Sequence, residues 1–277
     1  MSSRILYASS TSKNCFIFNT LLSFRGLHVL GRRLREVDTQ IYAVELLSLA
    51  REVMSLRELA KRTNISPVVL SRYIKGEYLP SFKRAHYIIR KLSSFINLRR
   101  LIRSSISVDK YGFINMTEIL SNMTLLKLVT RQVIELFSGK RITKVVTIAS
   151  DGIPLATHVA TTLNVPLIYA KKTRELGISS FYEEPYVTGT TMKTLYLPRG
   201  LIRKADYVLV VDDIFRDGSE HNALIRILHE RIRTKVVGFF VLIAIGEDWT
   251  ERLNLPPDCE AHALLVLSDE DLSHLSK

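Results

Sequence analysis

The sequence predicts a basic, all-α module followed by an α/β domain built on a parallel sheet flanked by helices. Three observations predict this division. Apolar, β-rich runs without polar alternation recur in the second half, separated by helical stretches, the pattern of a sheet buried on both faces. The first half lacks such runs and shows short amphipathic helical patterns instead. Charge divides at the same place: residues 1–107 hold 19 Lys/Arg against 6 Asp/Glu, whereas residues 108–277 hold 20 against 21. A basic module joined to a neutral one points to a polyanion-binding part and a separate second part.

Composition excludes several classes. A chain of 277 residues has room for two ordinary domains, and 47% apolar with 24% charged residues is the balance of a globular protein with a core. Cys15 and Cys259 match no metal spacing and read as reduced thiols of a cytoplasmic protein. The longest apolar run, Val236–Gly246, has 11 residues, too few to span a bilayer. Arg25 and His28 interrupt the apolar stretch 15–30, which argues against a signal peptide. No membrane partner is expected.

Residues 1–38 read as an N-terminal arm, either a disordered tail or an upstream extension with the true translation start further on. From Thr39 a helical pattern begins, with Ile41, Val44, Leu47 and Leu49 as its apolar positions. Three more short helices follow to about Ser94, and the apolar, basic segment 95–107 is taken as the domain connection, giving a first domain over 39–107 and a second over 108–277.

Within the first domain, Ser55 and Glu58 have capping-box spacing for the helix SLRELAKRT. Asn64 tolerates the left-handed backbone that a tight inter-helix turn needs. Ser66-Pro67 then reads as an N-cap followed by proline at the first helical position. The next helix turns Val69, Leu70, Tyr73 and Ile74 inward and leaves Ser66, Val68, Ser71, Arg72 and Lys75 outward. Gly76 ends it. This is helix-turn-helix spacing, and the stretch VVLSRYIKGEYLPS resembles the phage-repressor type of that motif. The resemblance implies double-stranded DNA as partner and a homodimer. Arg72 suits base-edge or phosphate contact, while Lys61, Arg62 and Lys75 suit positioning on the backbone.

In the second domain strands are expected at 144–149, 165–170, 193–197, 207–211, 236–245 and 263–267, with helices at 117–138, 153–163 and 219–233. The segment VLVVDDIFRDGSE carries the chemistry. Its apolar strand delivers Asp212 and Asp213 at the carboxyl end, where open α/β sheets bind ligands, and the loop holding Gly218 leads into a helix whose first N–H groups suit an anion. Adjacent acids can bond a ribose diol directly or through a divalent ion.

That segment resembles the phosphoribosyl pyrophosphate (PRPP) motif of type I phosphoribosyltransferases. The other parts of that pattern occur in order: Ala149-Ser150-Asp151-Gly152 matches the pyrophosphate loop, Lys171-Lys172 falls where a basic residue is usual, and Thr173–Thr191 corresponds to a mobile hood. The resemblance implies a type I phosphoribosyltransferase-like fold, with a candidate ligand set of Ser150, Asp151, Gly152, Lys171, Lys172, Asp212, Asp213, Arg216, Asp217, Gly218, Ser219 and Glu220. With the helix-turn-helix in front, the chain from about residue 39 resembles archaeal transcriptional regulators of this fold, related to the bacterial purine repressor.

One departure matters. Where the enzymes have Thr-Gly-Gly-Thr, this chain has Asp217-Gly218-Ser219-Glu220. Two carboxylates about 4 Å from a phosphate cost on the order of several kcal/mol even at high effective dielectric. Arg216 is expected to offset part of this. Asp217 and Glu220 also have capping-box spacing, and so compete for the N–H groups a phosphate would use. Two readings follow. One is a DNA-binding regulator whose second domain senses PRPP, a nucleotide or a nucleobase, or dimerises, without catalysis. The other is an active nucleobase phosphoribosyltransferase using PRPP and Mg²⁺. No dedicated metal site is expected, and helix-turn-helix spacing argues against an RNA-binding attenuator.

Overall fold

The computed structural model describes residues 32–93, 96–109 and 112–275, which fall into two units that divide between Asn97 and Leu98. Of the expected N-terminal arm, residues 1–31, with Cys15, lie outside the described residues.

The first unit is all-α. Helix α1 (Arg32–Val53) begins seven residues before the expected Thr39. Its inward face is Ala43, Leu46, Leu47 and Ala50, a clean i, i+3, i+4, i+7 stripe, and Ile41 is exposed rather than inward. Three shorter helices pack with it: α2 (Leu56–Thr63), α3 (Pro67–Ile74) and α4 (Phe82–Ser93), whose Ala85, Ile88, Ile89 and Leu92 are buried. The Gln40 side-chain amide of α1 donates to the Pro80 carbonyl at 2.7 Å, fixing the loop before α4.

The second unit opens earlier than expected. Helix α5 (Leu98–Ser104) lies in the stretch read as a connection, but Ile102 is fully buried and Arg103 pairs with Asp271 of the last helix, α10 (Asp269–Leu275). An apolar, basic stretch resembles a linker only until its alternate side chains find a core. A small antiparallel pair, β1 (Ser107–Val108) and β2 (Ile114–Asn115), follows. The expected helix 117–138 is two helices, α6 (Thr117–Ser121) and α7 (Met123–Leu136), divided at Asn122, whose side chain caps α7 by accepting from the Leu125 N–H.

Then come β3 (Lys144–Ile148), α8 (Ile153–Leu163), β4 (Leu167–Ala170), β5 (Phe181–Thr188), β6 (Thr191–Pro198), β7 (Tyr207–Phe215), α9 (Ser219–Ile225), which continues as a π-helical segment Arg226–Ile232, β8 (Lys235–Ile245) and β9 (Glu260–Leu267). Among the described residues five strands form a parallel sheet in the order β4-β3-β7-β8-β9. The strand order reverses between β3 and β7, so their carboxyl ends flank the crevice where such sheets take ligands. The run 193–197 was expected to join this sheet. It pairs instead with β5 in an antiparallel hairpin, tied to the β4 end by reciprocal bonds between Lys171 and Tyr196, each 2.8 Å.

The sheet is buried on both faces: Val208 to Val211 and Phe239 to Ala244 have no exposed surface. Gly238 lies under the Phe137 ring, and a Cβ there would meet it at 2.2 Å. Among the described residues no helix is long and apolar enough to cross a membrane.

Candidate functional site

In the first unit the turn is built as its residues dictate. The Ser55 hydroxyl accepts from the Glu58 N–H at 3.2 Å, and Asn64 takes the left-handed conformation (φ 51°, ψ 37°). The Ser66 hydroxyl accepts from the Val69 N–H, Pro67 occupies the first helical position, and Gly76 (φ 73°) follows the end of α3. The capping box is half made. Glu58 turns forward to Arg62 at 2.7 Å instead of back to its cap, because a guanidinium one turn along competes for it. Lys61, Arg62, Ser66, Val68, Arg72 and Lys75 are exposed and Ser71 is half-buried, while Leu70 and Tyr73 are buried. Arg72 Nε lies 3.5 Å from Glu77, a pair exposed enough to open for a phosphate at little cost.

In the second unit the β3–β7 crevice brings together the Ser150-Asp151-Gly152 loop and the Asp212-Asp213 pair. The loop meets both strands at Gly152, where a Cβ would lie 1.9 Å from Asp212 Oδ1 of β7 and 2.3 Å from Thr147 Oγ1 of β3. This glycine is needed for loop-to-strand packing, whatever it offers a ligand. Ser150 donates to Asp151, and both are exposed at the rim.

The paired aspartates differ in kind. Asp212 is 2% exposed, and its oxygens are engaged: Oδ1 accepts the Thr147 hydroxyl and the Asp213 N–H, each at 3.1 Å, and Oδ2 lies 3.0 Å from His221 Nε2. It thus bridges β3, β7 and α9 as an acceptor. Asp213 is half-buried, and burial, then the Asp212 charge beside it, pushes its carboxyl well above the ordinary aspartate range. Among the described residues no three His, Cys, Asp or Glu side chains are grouped to hold a metal.

The loop Arg216–Glu220 also departs from expectation. Arg216 does not turn to the loop carboxylates. Its guanidinium lies over the Phe113 ring at 5.4 Å and reaches the Gly112 carbonyl. The capping box of Asp217 and Glu220 does not form, since the N-cap of α9 is Gly218, in the left-handed conformation (φ 80°) with the Phe215 ring and the Arg252 carbonyl against it. Asp217 makes a short turn instead: Oδ1 accepts the Ser219 N–H at 2.9 Å and the Ser219 hydroxyl at 2.8 Å, and Oδ2 accepts the Thr188 hydroxyl from β5 at 3.1 Å. Burial opposes the Asp217 charge, but those bonds outweigh it and hold its carboxyl below the ordinary value.

Glu220 meets Lys172 at 2.7 Å. Burial works against the Lys172 ammonium, and the Glu220 bond and charge overcome it, so its pKa is raised. Lys171 turns away to Glu175 at 2.6 Å. The segment expected as a hood, Thr173–Thr191, contains the whole of β5, which Glu184 anchors to the helical layer through Arg226 at 2.7 Å and Arg231 at 3.0 Å.

Sequence reading missed Thr147, Tyr186, Thr188 and His221. Tyr186 is buried, and its hydroxyl makes no hydrogen bond among the described residues. His221 directly follows the motif and was the most readable of the four, while Thr147 arrives from β3 and Tyr186 and Thr188 from β5. Cys259 is far from this chemistry, and burial pushes its thiol up to about 12. Trp249 packs against Phe215 and Phe239 in the core.

Residues 115–262, half of the chain, match the model of the phosphoribosyl transferase domain. The chain belongs to that family. The match joins in one domain the crevice, the Asp-Asp strand end and the altered loop. Residues 52–93 match a helix-turn-helix model, which adds a nucleic-acid-binding class of module to the phosphoribosyl transferase domain. The purine biosynthesis transcriptional repressor PurR of Bacillus subtilis is 29% identical over 182 residues, 64% of this chain and 61% of the repressor. Xanthine phosphoribosyltransferase of Streptococcus equi subsp. equi is 34% identical over 122 residues, 43% of this chain and 63% of that enzyme. The chain thus spans about three-fifths of the length of these relatives. Among solved structures, adenine phosphoribosyltransferase from Rhodothermus marinus matches with a TM-score of 0.56 and 29% identity over 61% of this chain and 98% of its own. The Trypanosoma brucei enzyme matches with the same TM-score at 17% identity, a likeness of fold alone.

Proposed function

We propose that the protein is a DNA-binding transcriptional regulator whose phosphoribosyl transferase unit senses a ligand of nucleotide metabolism (PRPP, a nucleotide or a nucleobase) and forms a homodimer, without turnover. The observation that carries this reading is the pairing of an exposed, basic helix-turn-helix face with a family site whose phosphate loop is occupied by the chain's own carboxylates. The likeness to PurR of Bacillus subtilis supports it. In this reading Lys61, Arg62 and Lys75 position the module on phosphates, and Ser66, Val68, Ser71 and Arg72 meet the groove. Ser150, Asp151, Gly152 and Asp213 line the ligand crevice, and Mg²⁺ enters only as the counter-ion of a pyrophosphate-bearing ligand. Ligand binding alters DNA affinity by favouring one of two arrangements of the dimer.

The likeness to xanthine and adenine phosphoribosyltransferases keeps an alternative, an active nucleobase transferase. One pair of measurements separates the two. The regulator binds a specific duplex with an affinity that falls steeply with salt, and releases no pyrophosphate from PRPP with any nucleobase. Robust pyrophosphate release with a nucleobase would overturn the reading without turnover, and duplex binding indifferent to sequence would overturn the regulator itself.

A further inference from the structure

The donors a phosphate would need in this loop are already taken by the protein. The Ser219 N–H and hydroxyl and the Thr188 hydroxyl all point at the Asp217 carboxylate, which sits where an anion would. Lys172, the cation placed to compensate a phosphate, is neutralised by Glu220. With the Arg216 guanidinium turned to Phe113 and Gly112, two carboxylates against one ammonium surround these donors, and a phosphate dianion entering there meets like charge. What the loop does present is acceptors, together with one unused hydroxyl. Tyr186, from β5, is 5% exposed, and its hydroxyl has no partner among the described residues. Tyr186 lies two residues before Thr188 on β5, so the two side chains share a face of the strand, and the Thr188 hydroxyl already reaches Asp217 of the loop. A buried hydroxyl left without a partner is uncommon and lacks a bond that a ligand can supply. A neutral alcohol complements such a lining, since it donates to a carboxylate and accepts from a phenol.

We propose that this site takes a nucleoside, a ribosyl ligand with a free 5′-hydroxyl, in preference to a 5′-nucleotide or PRPP. The inference rests on the reading of this unit as a sensor of nucleotide-metabolism ligands, and narrows it. The 5′-hydroxyl donates to the carboxylates of the loop and accepts from Tyr186, and Asp213 at the strand end remains for the ribose diol. The altered loop is then a selectivity element: the acids that bar a phosphate retain a specific sugar end.

The test is titration calorimetry of the full chain with adenosine, guanosine, inosine, xanthosine, cytidine and uridine, with the 5′-monophosphate of each, with PRPP and with the free bases. One nucleoside is expected to bind at least about tenfold tighter than its own 5′-monophosphate and than PRPP, a difference of about 1.4 kcal/mol. In the double variant Asp217→Thr/Glu220→Thr the order is expected to reverse. The wild-type comparison stands alone if that variant fails to fold. A 5′-monophosphate or PRPP that binds as tightly as the nucleosides, or binding confined to free bases, would overturn the inference and leave the sensor reading intact. Absence of binding by every compound would overturn both. A folded double variant with no gain in phosphate affinity would overturn the assignment of these two acids as the barrier.

Discussion

A methyl group at position 152 would lie 1.9 Å from Asp212 Oδ1 and 2.3 Å from Thr147 Oγ1, neither the end of a freely moving chain, since those oxygens are bonded to each other at 3.1 Å. Gly152→Ala is therefore expected to destabilise the second unit by about 1–3 kcal/mol, the usual cost of overpacking. Urea unfolding monitored in that unit checks it, and an unchanged midpoint would show that the loop can step back. Asp217 gives a pH dependence. Its carboxyl is held below the ordinary value of 3.8, so the charged form is bound more favourably folded than unfolded. That stability is complete above 3.8 and is lost as the pH falls through the lowered value. Asp217→Asn should thus lower the melting temperature by a constant amount between pH 5 and 8, corresponding to about 0.5–1 kcal/mol for an exposed group, with the gap closing below about pH 3.8. A gap that widens on acidification would contradict this sign. Neither effect was legible in the sequence, where Gly152 read as a ligand contact and Asp217 as a helix cap.

At the scale of elements, local pattern was a good guide where the structure is local. Helix α8 runs over Ile153–Leu163, the span its periodicity implies, and the non-alternating runs of β3, β7 and β8 are central strands of the sheet. Strand β5 was missed for a physical reason. Its burial alternates, it carries Glu183, Glu184 and Pro185 in succession, and a proline without an N–H reads as a strand breaker. The hairpin pairs β5 with β6 and leaves its other edge unpaired among the described residues, so the missing donor costs nothing there. Its hold on the helical layer is electrostatic: Glu184, 8% exposed, bonds both Arg226 and Arg231. Glu184→Ala is expected to cost about 1.5–3 kcal/mol. Amide exchange is expected to rise first in residues 181–198. Exchange that rises uniformly across the unit would mean that the hairpin is not an independently held element.

At the scale of the molecule, composition already separates a basic unit from a neutral one, and the structure moves their boundary from 107/108 to 97/98 because Ile102 is buried. The sequence by itself determined the helix-turn-helix with its serine caps and left-handed Asn64, the fold class of the second unit, and the strand end that bears Asp212 and Asp213. These depend on interactions within about one helical turn or one strand, which periodicity and residue type report directly. Tertiary structure decided which charge meets which. Lys172 neutralises Glu220, Thr188 reaches Asp217, Arg216 leaves for Phe113, and Thr147 with His221 holds the Asp212 carboxylate. Those partners come from separate strands and loops whose ends converge only when the sheet forms. Charge pairing falls off with distance in space, not along the chain, and no spacing rule in a single sequence records that distance.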